Sequence, residues 1–148
     1  MWLSILLVFI AFSDLTTEET RKQGTLVVNI TNIRENKGAV HIALYDDPAT
    51  FLHKEGVCSG AVMPPAAAES LQWVAEGRAY GAYTLAVFHD INNNGRLDKN
   101  VLGIPTEPYA FAVKEPSKWQ SPTFEEVAFI MDAPEKKISL SLAYWKER

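Results

Sequence analysis

From residue 23 onward, apolar side chains recur at every second position, the mark of strands with one buried face. Within Thr25–Thr31, Leu26, Val28 and Ile30 share one face, while Asn29 and Thr31 lie on the other. Within Ala39–Tyr45, Val40, Ile42 and Leu44 share a face opposite His41. Between them, Glu35-Asn36-Lys37-Gly38 ends in a glycine suited to the positive φ of a turn, so the two segments are predicted to form a hairpin. Tyr83–Asp90 is the clearest strand: Tyr83, Leu85, Val87 and His89 alternate with Thr84, Ala86, Phe88 and Asp90. Apolar groups on both of its faces predict a central position.

Elsewhere the alternation is weaker. It fades over residues 46–60, where Asp47 and Pro48 suit the N-cap and first position of a short helical turn. Met63-Pro64-Pro65 breaks regular structure. Leu71–Ala75, Tyr109–Val113, Phe124–Met131 and Lys137–Tyr144 complete a set of about seven strands, with no helix long enough to close a parallel sheet. The expected fold is all-β, an antiparallel β-sandwich forming one domain over residues 24–148.

The first residues follow another pattern. Trp2–Phe12 is apolar apart from Ser4, and no charge precedes Asp14. The run is too short for a bilayer, which needs roughly 20 residues, and it fits a signal-peptide core. Ala11 and Ser13 offer small residues for cleavage after position 13, and polar 14–23 reads as a linker. The chain is therefore expected to be exported, to periplasm or medium, with no transmembrane segment after cleavage.

Charge narrows the partners. Fourteen Lys and Arg against 18 Asp and Glu give a net of -4, without a basic cluster, which argues against nucleic acid and anionic lipid. The expected partner is an unidentified protein or small ligand. Cys58 is alone, so no internal disulfide forms.

One loop is chemically distinctive. Asp90-Ile91-Asn92-Asn93-Asn94-Gly95-Arg96-Leu97-Asp98 sets side-chain oxygens at positions 1, 3, 5 and 9, with glycine at 6 and the Arg96 carbonyl at 7. That spacing suits calcium, a hard cation wanting six to eight oxygens. Position 12 is Val101 instead of a bidentate glutamate, so such a site would be weak, about 10⁻⁴ to 10⁻³ M. Glu107 is a further oxygen donor if the chain folds back. The competing reading is a metal-free loop held by Asx-turns and an Asn-Gly turn.

The run from Gly81 to Asp90, then Asn92-x-Asn94-Gly95-x-Leu97-Asp98 and Gly103-Ile104-Pro105-x-Glu107, resembles the bacterial "domain of unknown function 2141" family. The similarity extends from about Gly24 to Tyr144. The resemblance implies an exported bacterial β-sandwich of transthyretin-like or immunoglobulin-like type, and no activity. Two segments depart from the family pattern. Thr106-Glu107 stands where Lys-Glu is usual, and Ala110-Phe111-Ala112-Val113 where Gly-Phe-Ser-Asn is usual.

Other candidates have plainer readings beside the chemical ones. His89 suits acid–base work with Asp90, or a histidine whose ring bonds a loop carbonyl. Zinc would need His41, His53, His89 or Cys58 to converge from scattered positions. Cys58 with His53 suggests a thiolate nucleophile, against a lone small hydrophobe. Carboxylate pairs for hydrolysis, such as Asp90 with Asp98 or Glu107, share the loop already described, where turn chemistry explains them. Tyr83 is expected to pack in the core with its hydroxyl bonded nearby, and Trp119 to serve as an exposed platform or to cover a sheet edge. The leading expectation is a non-enzymatic binding or structural module using the 90–107 loop. The alternatives are an enzyme using His89 and Asp90, or a small-ligand carrier with an apolar cavity between its sheets.

Overall fold

The computed structural model describes residues 21–65, 70–113 and 120–145. Its strands are β1 (Gln23–Thr31), β2 (Ala39–Tyr45), β3 (Ser59–Met63), β4 (Ser70–Ala79), β5 (Gly81–Asp90), β6 (Tyr109–Phe111), β7 (Phe129–Met131) and β8 (Glu135–Ser141). The first sheet runs β4-β1-β8 and the second β3-β2-β5-β6. β7 shares an edge of β5 with β6: it takes Gly81–Tyr83, and β6 takes Ala86–Phe88. The fold is an all-β sandwich, and β5 is central, as its two apolar faces predict.

The inward faces are those of the alternation. Leu26, Val28 and Ile30 of β1 join Val40, Ile42 and Leu44 of β2 and Leu85 and Val87 of β5 in one buried core. Their sheets meet face to face, which corrects the hairpin expected from β1 and β2. The two strands lie in different sheets. Their apolar faces look at each other across the core, and the connection 32–38 is longer than a hairpin turn. Asn32, at φ 63°, starts it and donates its side-chain amide to the Leu142 carbonyl at 2.7 Å. Ile33, 3% exposed, anchors it in the core. Gly38 does adopt positive φ (74°), and a Cβ there would strike the Asp90 carbonyl.

Three more expectations change. β8 runs parallel to β1, so the sandwich is not wholly antiparallel. The chain leaves β7 in the second sheet and enters beside β1 through Ala133 and Pro134, where the Thr25 amide donates to the Pro134 carbonyl at 2.9 Å. The expected strand Phe124–Met131 is split. Thr123 and Glu126 form a reciprocal capping box that starts a single helical turn, α1 (Phe124–Val127), before β7. β3 was not expected, because its small residues Ser59, Gly60 and Ala61 carry too little apolar contrast to show a period. The turn after Asp47 is as predicted, a 3-10 helix at Pro48–Thr50 with the Asp47 carboxylate accepting from the Ala49 amide at 2.9 Å.

Candidate functional site

The outward face of the second sheet shows a grid that the register makes plain. His41 pairs with Phe88 and Phe88 with Tyr109 in one row. Ala43 pairs with Ala86 and Ala86 with Phe111 in the next, and Gly60 of β3 extends that row toward the edge. Tyr45 pairs with Thr84 in the row after. Two alanines and a glycine side by side leave a low strip, and ring-bearing side chains stand around it. His41 and Phe88 are stacked at 4.6 Å on one side. On the other, Phe51 meets Tyr45 at 5.4 Å and Phe111 at 6.2 Å, edge to face. The result is a groove of about 450 Å³, whose lining also includes Leu97, Lys99, Gly103 and Pro105 from beyond the asparagine-rich loop, and Leu52, Gln120 and Ser121. This volume lies in the range of small-molecule sites, about 300–1,000 Å³. Burial pushes the Tyr45 hydroxyl above the usual tyrosine value, so it stays a neutral hydrogen-bonding group.

The asparagine-rich loop forms one wall. Asp90 is fully buried at the end of β5. Its Oδ1 accepts from the Asn94 amide at 3.0 Å and its Oδ2 from the Gly95 amide at 2.6 Å. The same Oδ2 lies 3.4 Å from His41 Nε2. Asn93 and Gly95 hold positive φ (60° and 81°), the conformations that Asn and Gly tolerate. Asp98 accepts from the side-chain amide of Asn94 at 3.0 and 2.9 Å, from that of Asn92 at 2.6 Å, and from Arg96 Nε at 3.3 Å. Those bonds, Asn94 first and then Asn92, hold the Asp98 carboxyl below its usual value. Arg96 also donates its backbone amide to Asn94 Oδ1 at 3.1 Å.

Glu107 closes the structure. Although buried, it accepts from the Ile91 amide at 2.8 Å and the Asp98 amide at 3.0 Å, tying both ends of the loop together. A buried carboxylate needs such partners, and two backbone N–H donors supply them. Beyond Asp98, the chain makes a small arch. Asn100 Oδ1 accepts from the amides of Leu102 and Ile104, and Lys99 bridges Pro105. The tip residues Val101 and Leu102 stand in solvent.

The five residues of the calcium spacing are therefore brought together, with Glu107 folded back as the sequence allowed. The oxygens of Asp90, Asp98 and Glu107 are directed at N–H donors of the loop itself. Among the described residues, no three His, Cys, Asp or Glu side chains group to hold a metal ion. His89 does not join Asp90. Successive residues of a strand face opposite ways, and His89 is buried on the core side with Nε2 2.7 Å from the Lys37 carbonyl. A carbonyl only accepts, so Nε2 carries the proton, and Nδ1 has no hydrogen-bond partner.

The remaining candidates separate. His53 faces Glu55 at 3.9 Å, and burial, then Asp46, pushes the Cys58 thiol up, which suits an unreactive thiol. Tyr83 donates to the Ala79 carbonyl at 2.9 Å and stacks on Phe129, as expected. Trp119 lies outside the described residues, as does the segment 1–13. Sequence reasoning missed the groove itself. Its signal was present in the apolar outward positions Ala43, Tyr45, Ala86 and Phe88, but their neighbours depend on a register that no single strand encodes.

Comparison with known families decides the relationship. The model of a family described as "Uncharacterized protein conserved in bacteria (DUF2141)" matches residues 28–139, most of the chain. The chain belongs to this family. No curated protein and no solved structure matches it. In this DUF2141 protein, the segment Ala110–Val113 includes the end of β6 at the groove.

Proposed function

We propose that this DUF2141 domain is a non-enzymatic ligand-binding module of the bacterial envelope, with the groove on the outer face of the second sheet as its binding surface. One observation carries the reading: a strip of Gly60, Ala43 and Ala86 lies across a sheet whose neighbouring rows carry rings. Apolar side chains on the outer face of a sandwich are favourable where something covers them. The asparagine-rich loop serves as a rigid wall, since its amides and carboxylates satisfy one another. Export is supported by the apolar run Trp2–Phe12.

The groove is tested with a neutral naphthalene dye whose emission shifts to the blue in apolar surroundings. Blue-shifted, saturable emission that Ala86→Leu abolishes is the expected result. Dye binding unaffected by Ala86→Leu and by Phe111→Ala contradicts the reading. Export is tested by fusing residues 1–23 to a reporter active only outside the cytoplasm.

The oxygen spacing favours a second reading of the wall: calcium held by Asp90, Asn92, Asn94, the Arg96 carbonyl and Asp98. An ion at ten times its dissociation constant adds about 1.4 kcal/mol, a midpoint rise of a few degrees. A rise in about 1 mM calcium over EDTA that Asp98→Asn removes would establish it. Identical midpoints leave the hydrogen-bonded wall.

A further inference from the structure

We propose that the groove takes a ring-bearing organic monoanion, an aromatic carboxylate being the simplest case, with its ring over Ala43 and Ala86 and its carboxylate at Lys99. The inference rests on the reading of the groove as a binding surface and names the ligand class. The ring half follows from shape. The strip between the His41–Phe88 stack and the Tyr45–Phe51 pair is a slot with an aliphatic floor and aromatic sides, suited to a flat apolar body.

The anionic half follows from how charges are partnered. Lys37 lies 3.1 Å from Glu35, Arg96 3.3 Å from Asp98, Lys136 3.3 Å from Asp132 and Lys137 3.1 Å from Glu135. Among the described residues Lys22, Lys54, Arg78 and Lys99 have no carboxylate partner, and of these only Lys99 lines the groove. The acidic groups of the adjoining loop do not serve it. Asp90 is directed at the amides of Asn94 and Gly95 and at His41. Asp98 is directed at Asn92, Asn94 and Arg96, and Glu107 at two backbone amides. A lysine without a carboxylate partner on the lining of such a slot favours a ligand that is apolar over most of its surface and negative at one end.

The test uses the full chain and three probes, followed by amide shifts in ¹H–¹⁵N spectra: 2-naphthoate, its neutral isostere 2-naphthamide, and maltose. At neutral pH and low salt, 2-naphthoate is expected to bind with Kd on the order of 1 mM, as its size allows. It should bind about five-fold tighter than 2-naphthamide, an exposed ion pair's worth. That preference should vanish in Lys99→Gln and at about 0.5 M salt, and survive in Arg96→Gln. Equal affinity for the two naphthyl probes in the unaltered chain overturns the anion assignment and leaves the groove standing. Binding of maltose without either naphthyl probe overturns the ligand class. No probe perturbing the groove while the dye also fails to bind removes the underlying reading. Lys99 is exposed, so its replacement leaves the fold intact.

Discussion

The two sheets of this sandwich have unlike outer faces. On the first sheet the outward row of β1 reads Thr25, Val27, Asn29 and Thr31, β8 presents Lys137, Ser139 and Ser141, and β4 sets one exposed aliphatic residue, Val74, beside Val27. Asn29 there accepts from the Gln72 side chain at 2.9 Å, an ordinary solvated cross-strand pair. On the second sheet the corresponding positions carry His41, Tyr45, Phe88, Tyr109 and Phe111 around two alanines. Both sheets fill the core with the same alternation of aliphatic residues, so stability alone does not require the second pattern. An outward face costs nothing when polar; of the rings placed there, Tyr45 and Tyr109 are buried by the chain itself, while Phe88 and Phe111 stay half-buried. The proposed recognition role of the second face rests on this difference.

The largest effect is expected where the wall of that face is anchored. Asp90→Ala removes the buried carboxylate that accepts from the Gly95 amide and, together with Asn92 Oδ1, from the Asn94 amide. It should lower unfolding free energy by about 3 kcal/mol or more in urea titration, at 1.5–3 kcal/mol for each charged hydrogen bond. A loss below about 1 kcal/mol would mean that the loop does not depend on Asp90.

The next effect compares the faces directly. Phe88→Ala should cost about 1–3 kcal/mol, since its ring is stacked and half-buried, while Asn29→Ala on the first sheet should stay within about 0.5 kcal/mol. Equal costs would erase the asymmetry on which the comparison rests. Ala86→Leu should change stability by less than about 1 kcal/mol, because its added atoms enter the groove and not the core.

The smallest effect is on one titration. The Asp98 carboxyl is held below its usual value mainly by Asn94. A depressed carboxylate contributes stability above its unfolded pKa and loses it as pH falls through the folded value. Asn94→Ala should therefore raise the Asp98 pKa toward the ordinary aspartate value, read by carboxyl ¹³C shifts, and lessen the loss of stability at acid pH. An unchanged titration would show that the Asn94 amide is not its main partner.

How much of this was legible in the sequence depends on whether a feature is local. The periods of β1, β2 and β5 are carried by each strand alone, and so is the Asp47-Pro48 start. The partition of β1 and β2 between sheets is not local, since a polar connection ending in glycine suits a hairpin and a crossover alike. The parallel return of β8 depends on where β7 delivers the chain. Thr123-Phe124-Glu125-Glu126 did carry a helix start in its Thr-x-x-Glu spacing. Flanked by apolar residues, it also suits a strand. For the site, the loop's oxygens were readable by spacing, but their directions were not. Glu107 is far along the chain from Ile91, and only folding makes it their tie. His41 and Ala43 looked ordinary until the register set them beside Phe88 and Ala86.

The most direct test of the central claim is an amide shift map of the full chain titrated with 2-naphthoate. The account predicts perturbations clustered at Ala43, Ala86, Lys99 and Phe111, with Val27, Asn29 and Gln72 unmoved. Perturbations on the first sheet's outer face, or none on the second, would contradict it.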